Sequence, residues 1–190
     1  MGKAVFLDRD GTINEEMGYI NHIDRFRIFE FVPAAIRRFN ENGFKVIVIT
    51  NQSGVARGYF SEELLNEVHN YLLHFVESES ARIDKIYYCP HHPDEGTVEY
   101  RRDCNCRKPR TGMIEKALED FDIDMDQSYM IGDRFKDMEF GRRVGLKTIF
   151  LLTGYGKGEY TYQRSLWPFQ PDLICENLHD AALHVTSSVK

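Results

Sequence analysis

The sequence predicts an α/β fold built on a doubly wound, mainly parallel sheet, and three observations carry that prediction. Short apolar, β-branched runs alternate with helical stretches along the whole chain, which is the pattern of successive right-handed βαβ units. The run at 45–49, Lys-Val-Ile-Val-Ile, has no polar alternation and reads as a strand covered on both faces. Polar residues gather where the strands end: Asp8 and Asp10, then Thr50 and Asn51, then Asp133. In an open parallel sheet that edge is where ligands bind.

Taken in order, the first strand is the run Val5-Phe6-Leu7, ending in Asp8-Arg9-Asp10-Gly11-Thr12. Residues 13–31 form a long irregular loop, a length that marks function or disorder. A helix over 33–42 follows, with Pro33 in its first turn, Ile36 and Phe39 on its apolar face and Gly43 as its stop. The second strand, 45–49, ends in Thr50-Asn51-Gln52-Ser53-Gly54. Ser61 caps a helix with Glu62 and Glu63 in its first turn, and Leu64, Leu65, Val68, Tyr71, Leu72 and Phe75 give it a core-facing stripe as far as about residue 79. A third strand spans 83–89, and a cysteine-bearing loop runs to Pro109. A helix over 113–121 leads to a fourth strand, 129–131, ending in Gly132-Asp133. Residues 137–144 form a helix, with Asp137 opening it as a cap, and Gly145 closes it before a fifth strand at 147–152. Residues 154–170 look like a surface excursion. A short strand at 173–174, a helix from Leu178 capped by Asn177 and a frayed end at 187–190 complete the chain.

The chain has 190 residues, which suits a single domain spanning 1–190, long enough to bury about 70% of its unfolded surface. Hydrophobic residues make up 42% and charged residues 28%, as in a soluble globular protein, and the net charge of −6 argues against a nucleic-acid partner. A small molecule is the expected partner. No stretch approaches ~20 apolar residues and Met1-Gly2-Lys3 enters a strand without a signal-peptide pattern, so a cytoplasmic enzyme without a membrane partner is expected, as a monomer. Gly2 is followed at position 6 by Phe, which excludes a myristoylation start.

Asp8 and Asp10 share a face if the strand continues through them. Two carboxylates about 4 Å apart repel by about 4 kcal/mol at an effective dielectric of about 20, so the pair calls for a cation, a proton or both. Hard oxygen ligands without histidine suit Mg²⁺. A hydroxyl at Thr50 and an ammonium at Lys108 suit the oxygens of a transferring phosphoryl group, with Asp8 as nucleophile and Asp10 as acid/base. Taken singly, Asp133 and Asp137 could solvate a rim, Thr50-Asn51 could be a turn and Lys108 a surface lysine. In combination they read as phosphoryl transfer.

Three of the four cysteines, Cys89, Cys104 and Cys106, lie near His91. Three thiolates and one imidazole make a closed tetrahedral set for structural Zn²⁺, in a loop spanning about 89–108, with His92 as the alternative nitrogen ligand. Cys175 has no such company and reads as a core residue. Cys106 directly precedes Arg107 and Lys108, so fixing its thiolate fixes the backbone that aims both cations.

Asp8-x-Asp10-Gly11-Thr12, Thr50, Lys108 and Gly132-Asp133-x-x-x-Asp137, in this order across most of the chain, resemble the four motifs of the haloacid dehalogenase-like phosphatases. The resemblance implies a Rossmann-like fold, here without room for a large cap domain, and an aspartyl-phosphate on Asp8. It implies Mg²⁺ held by the side chain of Asp8, the backbone carbonyl of Asp10 and the side chain of Asp133, with Asp137 ligating through water or holding Lys108. The zinc loop points within that family to the sugar-bisphosphate phosphatases, with the histidinol-phosphate phosphatases as the alternative. Selectivity then falls to short loops: residues 13–28, the set Asn51, Gln52, Ser53, Gly54 and Arg57, and Arg107 with Arg110 for the phosphate that stays. Arg134 either supports the acid cluster or is a surface residue. Competing classes are a phospho-accepting receiver module, whose acceptor lies on a middle strand, a silent zinc-binding interaction domain, and a polynucleotide 3′-phosphatase, which needs a basic groove.

Overall fold

The computed structural model describes residues 1–187. Six strands, β1 (Lys3–Leu7), β2 (Phe44–Asn51), β3 (Lys85–Cys89), β4 (Tyr129–Gly132), β5 (Lys147–Leu151) and β6 (Leu173–Cys175), form one sheet in the order β3-β2-β1-β4-β5-β6, every pair parallel. The winding direction reverses between β1 and β4, so the ligand crevice of such a sheet lies between the ends of those two strands. Asp8 and Asp133 follow them directly.

The helices are α1 (Val32–Glu41), α2 (Glu62–Ser78), α3 (Gly112–Asp120), α4 (Phe135–Arg143), α5 (Gly156–Gln163) and α6 (Leu178–Ser187). Strand alternation sends Val5 and Leu7 into a core shared with α1, α2 and α6, and Ala4 and Phe6 into a second core with Ile114 of α3 and Phe140 of α4. Covering both faces is what the unalternating apolar strands require. The side chain of Ser61 caps α2 by accepting from the Leu64 amide at 3.3 Å. The loop after β1 is ordered by its own packing: Ile13, Ile20 and Phe26 are buried, and Asn14 bridges to Ile28.

Several boundaries differ from expectation. β3 begins at Lys85 because Asp84 closes the ladder, its amide donating to Val46 O at 2.7 Å and its carboxylate accepting from Val46 N at 2.8 Å. α4 begins at Phe135, so Asp137 lies inside its first turn instead of opening it, and accepts there from the Arg134 amide at 3.2 Å. The segment 154–170 contains α5 and a 3-10 turn, and Trp167 stacks on Phe135 with centroids 4.7 Å apart. Glycines at 154, 156 and 158 and scattered aromatics gave that helix no amphipathic period to read. Cys175 is buried, as expected of a core residue; Ser187 is helical, and 188–190 lie outside the described residues. Among the described residues no domain interrupts the sheet between β1 and β2, and no helix is long and apolar enough to cross a membrane.

Candidate active site

β1 ends at Leu7, with the Asp8 amide making a last bond to Ile131 O at 3.0 Å. Asp8 and Asp10 therefore sit in a turn and not in the strand, and it is the turn that brings both to one cleft. The amides of Thr12, Ile13 and Asn14 all converge on Arg9 O, winding the chain back on itself. Gly11, at φ +78°, lets the turn pass against Asp133, where a Cβ would collide with the carboxylate. Gly132 makes the same room for Asp137.

Lys108 is the pivot of the cleft. Its Nζ lies 2.9 Å from Asp8 Oδ1 and 2.7 Å from Asp137 Oδ1, and the residue is only 4% exposed. Burial disfavours its charge, but Asp137 and Asp8 outweigh that and hold the amine above its ordinary range. Asn51, expected to touch substrate, lines the cleft and also clamps the Lys108 backbone: its Oδ1 accepts from Lys108 N at 3.0 Å and its Nδ2 donates to Lys108 O at 3.1 Å.

Carboxylate oxygens of Asp8, Asp133 and Asp137 lie within 4.8 Å of one another. Burial pushes Asp8 up to about 6 against the pull of Lys108, and burial with repulsion from Asp8 and Asp137 lifts Asp133 well above the carboxylate range. Asp133 is fully buried, with Oδ2 accepting from Tyr155 N at 2.8 Å and Oδ1 left without a hydrogen-bond partner among the described residues. Three crowded carboxylates, one ammonium and an orphaned carboxylate oxygen fit a hard divalent cation of the Mg²⁺ class.

Asp10 is held differently. Arg9 forks onto it through NH2, at 2.9 and 3.0 Å from its two oxygens, Asn14 Nδ2 donates to Oδ1 at 2.9 Å, and Gln52 Nε2 donates to Oδ2 at 2.7 Å. Burial raises this carboxyl, but Arg9 and these hydrogen bonds prevail and leave it below the usual range. Gln52 also donates to Thr50 Oγ1 at 3.0 Å, so it orients two cleft residues from behind and does not face the cleft itself.

Of the other expected contacts, Ser53 and Arg107 line the cleft, Arg107 donating to His91 O at 3.3 Å. Gly54 does not: it packs against the Phe60 ring, which a Cβ would strike. Arg110 is not among the residues lining the cleft: it pairs with Asp103 and donates to Cys104 O at 2.8 Å. Arg57 is taken up by Glu95 and His92. Arg134 lines the cleft, held by Glu159 at 3.0 Å and lying over the Tyr155 ring. Glu16 and Lys136 line it too, and neither was singled out from sequence.

Arg9, Asn14 and His69 were also missed. His69 was legible in part, because it falls on the buried face of α2 at helical spacing from Leu65 and Leu72. Burial and the Arg9 guanidinium push its imidazole down to about 3. Unfolding therefore takes up a proton at this residue between about pH 3 and the ordinary histidine value near 6.5, and the stability tied to neutral His69 is complete above 6.5 and lost as pH falls. We expect His69→Gln to flatten the pH dependence of unfolding near pH 5 by about 1.4 kcal/mol per pH unit, measured by denaturant melts. An unchanged slope would contradict a buried neutral imidazole.

The cysteine loop folds beside this cleft. Cys89 Sγ lies 3.4 Å from Cys104 Sγ and 3.0 Å from Cys106 Sγ, and His91 Nδ1 lies 3.2 Å from Cys106 Sγ. All four ligand atoms are within 4.8 Å of one another. His92 is outside this group, its Nε2 facing Arg57 at 3.0 Å, so His91 is the nitrogen of the set. Hydrogen bonds from Cys89, Cys104 and His91 pull Cys106 down to about 5. The donor set fits Zn²⁺.

The family model described as "HAD-hyrolase-like" matches residues 105–181. The chain is 44% identical over 151 residues to D-glycero-beta-D-manno-heptose-1,7-bisphosphate 7-phosphatase of Haemophilus ducreyi, covering 79% of this chain and 82% of that one. It is 43% identical over 148 residues to the Escherichia coli K12 protein of the same name, covering 77% and 78%. Among solved structures, D,D-heptose 1,7-bisphosphate phosphatase from B. bronchiseptica, complexed with magnesium and phosphate, superposes with a TM-score of 0.85 at 28% identity over 98% of this chain and 99% of that one.

Proposed function

We propose, from the premise that this chain belongs to the haloacid dehalogenase-like phosphatases, that it removes the 7-phosphate of D-glycero-β-D-manno-heptose 1,7-bisphosphate, a step in making heptose precursors. The observation that carries the reading is one cleft holding a lysine-bridged Asp8, a separately clamped Asp10 and additional cations on its wall. The names of the similar proteins supply the sugar.

Asp8 is the nucleophile. Its carboxylate oxygen attacks the 7-phosphorus while the bond from phosphorus to the sugar oxygen breaks, and Asp10 delivers a proton to that oxygen. Asp10 is ionised in the free protein; a phosphoryl group beside it adds negative charge and favours its protonated form. In the second step Asp10 takes a proton from water, the water oxygen bonds to phosphorus, and the bond from phosphorus to Asp8 breaks. Lys108 and Thr50 hold the phosphoryl oxygens, and Asp137 keeps Lys108 charged and aimed. Asp8, Asp133 and the backbone carbonyl of Asp10 would hold Mg²⁺, whose charge offsets that of the phosphoryl oxygens. Cys89, His91, Cys104 and Cys106 would hold Zn²⁺ as a structural tie.

A bisphosphate leaves one phosphate to be bound without reaction. Arg107 is the first candidate for it, and Arg134 and Lys136 face the same cleft. Histidinol phosphate has no second phosphate for these cations. We therefore expect kcat/KM for heptose 1,7-bisphosphate to exceed that for histidinol phosphate by at least about 100-fold, the scale of one or two charge-assisted hydrogen bonds that the smaller substrate cannot make. A preference for histidinol phosphate would overturn the assignment.

A further inference from the structure

We infer that His69 is a positioning residue for the acid/base Asp10, acting through the buried Arg9. The inference rests on the reading of Asp10 given above. Arg9 is only 1% exposed, and its donors are divided: NH2 and Nε face Asp10, while NH1 lies 3.2 Å from His69 Nε2. A buried guanidinium edge without an acceptor would carry a large desolvation cost, so the imidazole fixes the rotation of the whole fork. The plane of that fork in turn sets the plane of the Asp10 carboxylate.

The packing restricts His69 to this task. It sits on α2 with 6% exposure, 5.3 Å from the Tyr88 ring centroid, and Arg9 lies over the Phe26 ring at 5.6 Å. Tyr88 spends its hydroxyl on Glu62 at 2.7 Å, at the start of the same helix. Only an unprotonated Nε2 can accept from Arg9, and the low basicity of the buried ring agrees with that. α2 and the turn after β1 are thereby joined through one acceptor, which makes the helix part of the catalytic scaffold.

The test uses the full-length, metal-loaded enzyme with two variants, His69→Phe, which keeps an aromatic ring and removes the acceptor, and His69→Gln, which keeps an acceptor. For the sugar bisphosphate we expect His69→Phe to lower kcat about 10-fold with KM changed less than twofold, and His69→Gln to recover kcat to within about threefold. A proton donor matters most for a poor leaving group. The loss in kcat/KM for His69→Phe is therefore expected to be at least fivefold smaller with dinitrophenyl phosphate than with the sugar bisphosphate. A loss of folded structure alone would lower both substrates equally and would show in the melting curve, and His69→Gln then decides the matter. In a folded His69→Phe, equal losses for both substrates or an unaltered kcat would overturn the inference while leaving the role of Asp10 intact. Full activity in Asp10→Asn, measured alongside, would overturn both.

Discussion

Asp8→Asn is expected to lower kcat by about 10⁴-fold or more without unfolding the protein, the order of loss seen when a covalent nucleophile is removed. The amide keeps the shape of the side chain and can still meet Lys108, but it offers phosphorus no anionic oxygen. Stability should hold or rise. Asp8 is buried beside Asp137 and Asp133, and burial already pushes its carboxyl up to about 6, so the substitution removes a crowded charge while Lys108 keeps Asp137 at 2.7 Å. Steady-state kinetics with thermal melts checks both halves. Residual full activity would remove Asp8 from the reaction, and a large fall in melting temperature would mean that Lys108 depends on it for its place.

Cys106→Ser, or extraction of zinc by a chelator, is expected to lower kcat by about 10- to 100-fold, in the range of substitutions around metal ligands, and to lower the melting temperature. The path of the effect is covalent and short. Cys106 touches Cys89, Cys104 and His91, and two residues later Lys108 enters the cleft with both backbone groups held by Asn51. Without the tie, residues 90–107 lose their anchor to β3, while Asn51 continues to hold the far end. Amide exchange should therefore quicken across 90–107 and stay slow in β1 and β4. Full turnover in a zinc-free preparation with unaltered exchange would contradict the structural role.

The fold was legible because apolar strands covered on both faces leave one arrangement open to them, a parallel sheet with helices on each side, and the polar strand ends then mark its ligand edge. That the acids, Thr50 and Lys108 gather at one edge, and Cys89, His91, Cys104 and Cys106 in one loop, was legible because their chemistry makes little sense at strand ends or in one loop for any lesser purpose. What could not be read were roles that depend on long-range neighbours. Asn51 and Gln52 stand in a motif that suggests substrate contact, yet Asn51, while lining the cleft, also clamps the Lys108 backbone, and Gln52 orients Asp10, pairings with residues far away in sequence. Arg110 has the right charge, but Asp103 and Cys104 O claim it. Arg9 falls between two acids whose strand-like alternation points it away from them. The strand ends at Leu7, and the turn brings Arg9 back onto Asp10. α5 lacked the apolar period that announces a helix, and its partners lie elsewhere in the chain: Glu159 accepts from Arg134 and the Phe135 amide, and Tyr160 meets the Trp167 ring beyond its end.

Phosphate is expected to leave the sugar by way of Asp8 and then to be released. Rapid acid quenching of the metal-loaded enzyme with substrate labelled at the 7-phosphorus, followed by mapping of protein-bound label, tests it most directly. Label is expected on the peptide containing Asp8, at no more than one equivalent, disappearing as free phosphate accumulates and absent in Asp8→Asn. Label that reaches one equivalent and stays, as in a phospho-accepting receiver, or turnover with no label on that peptide, would contradict it.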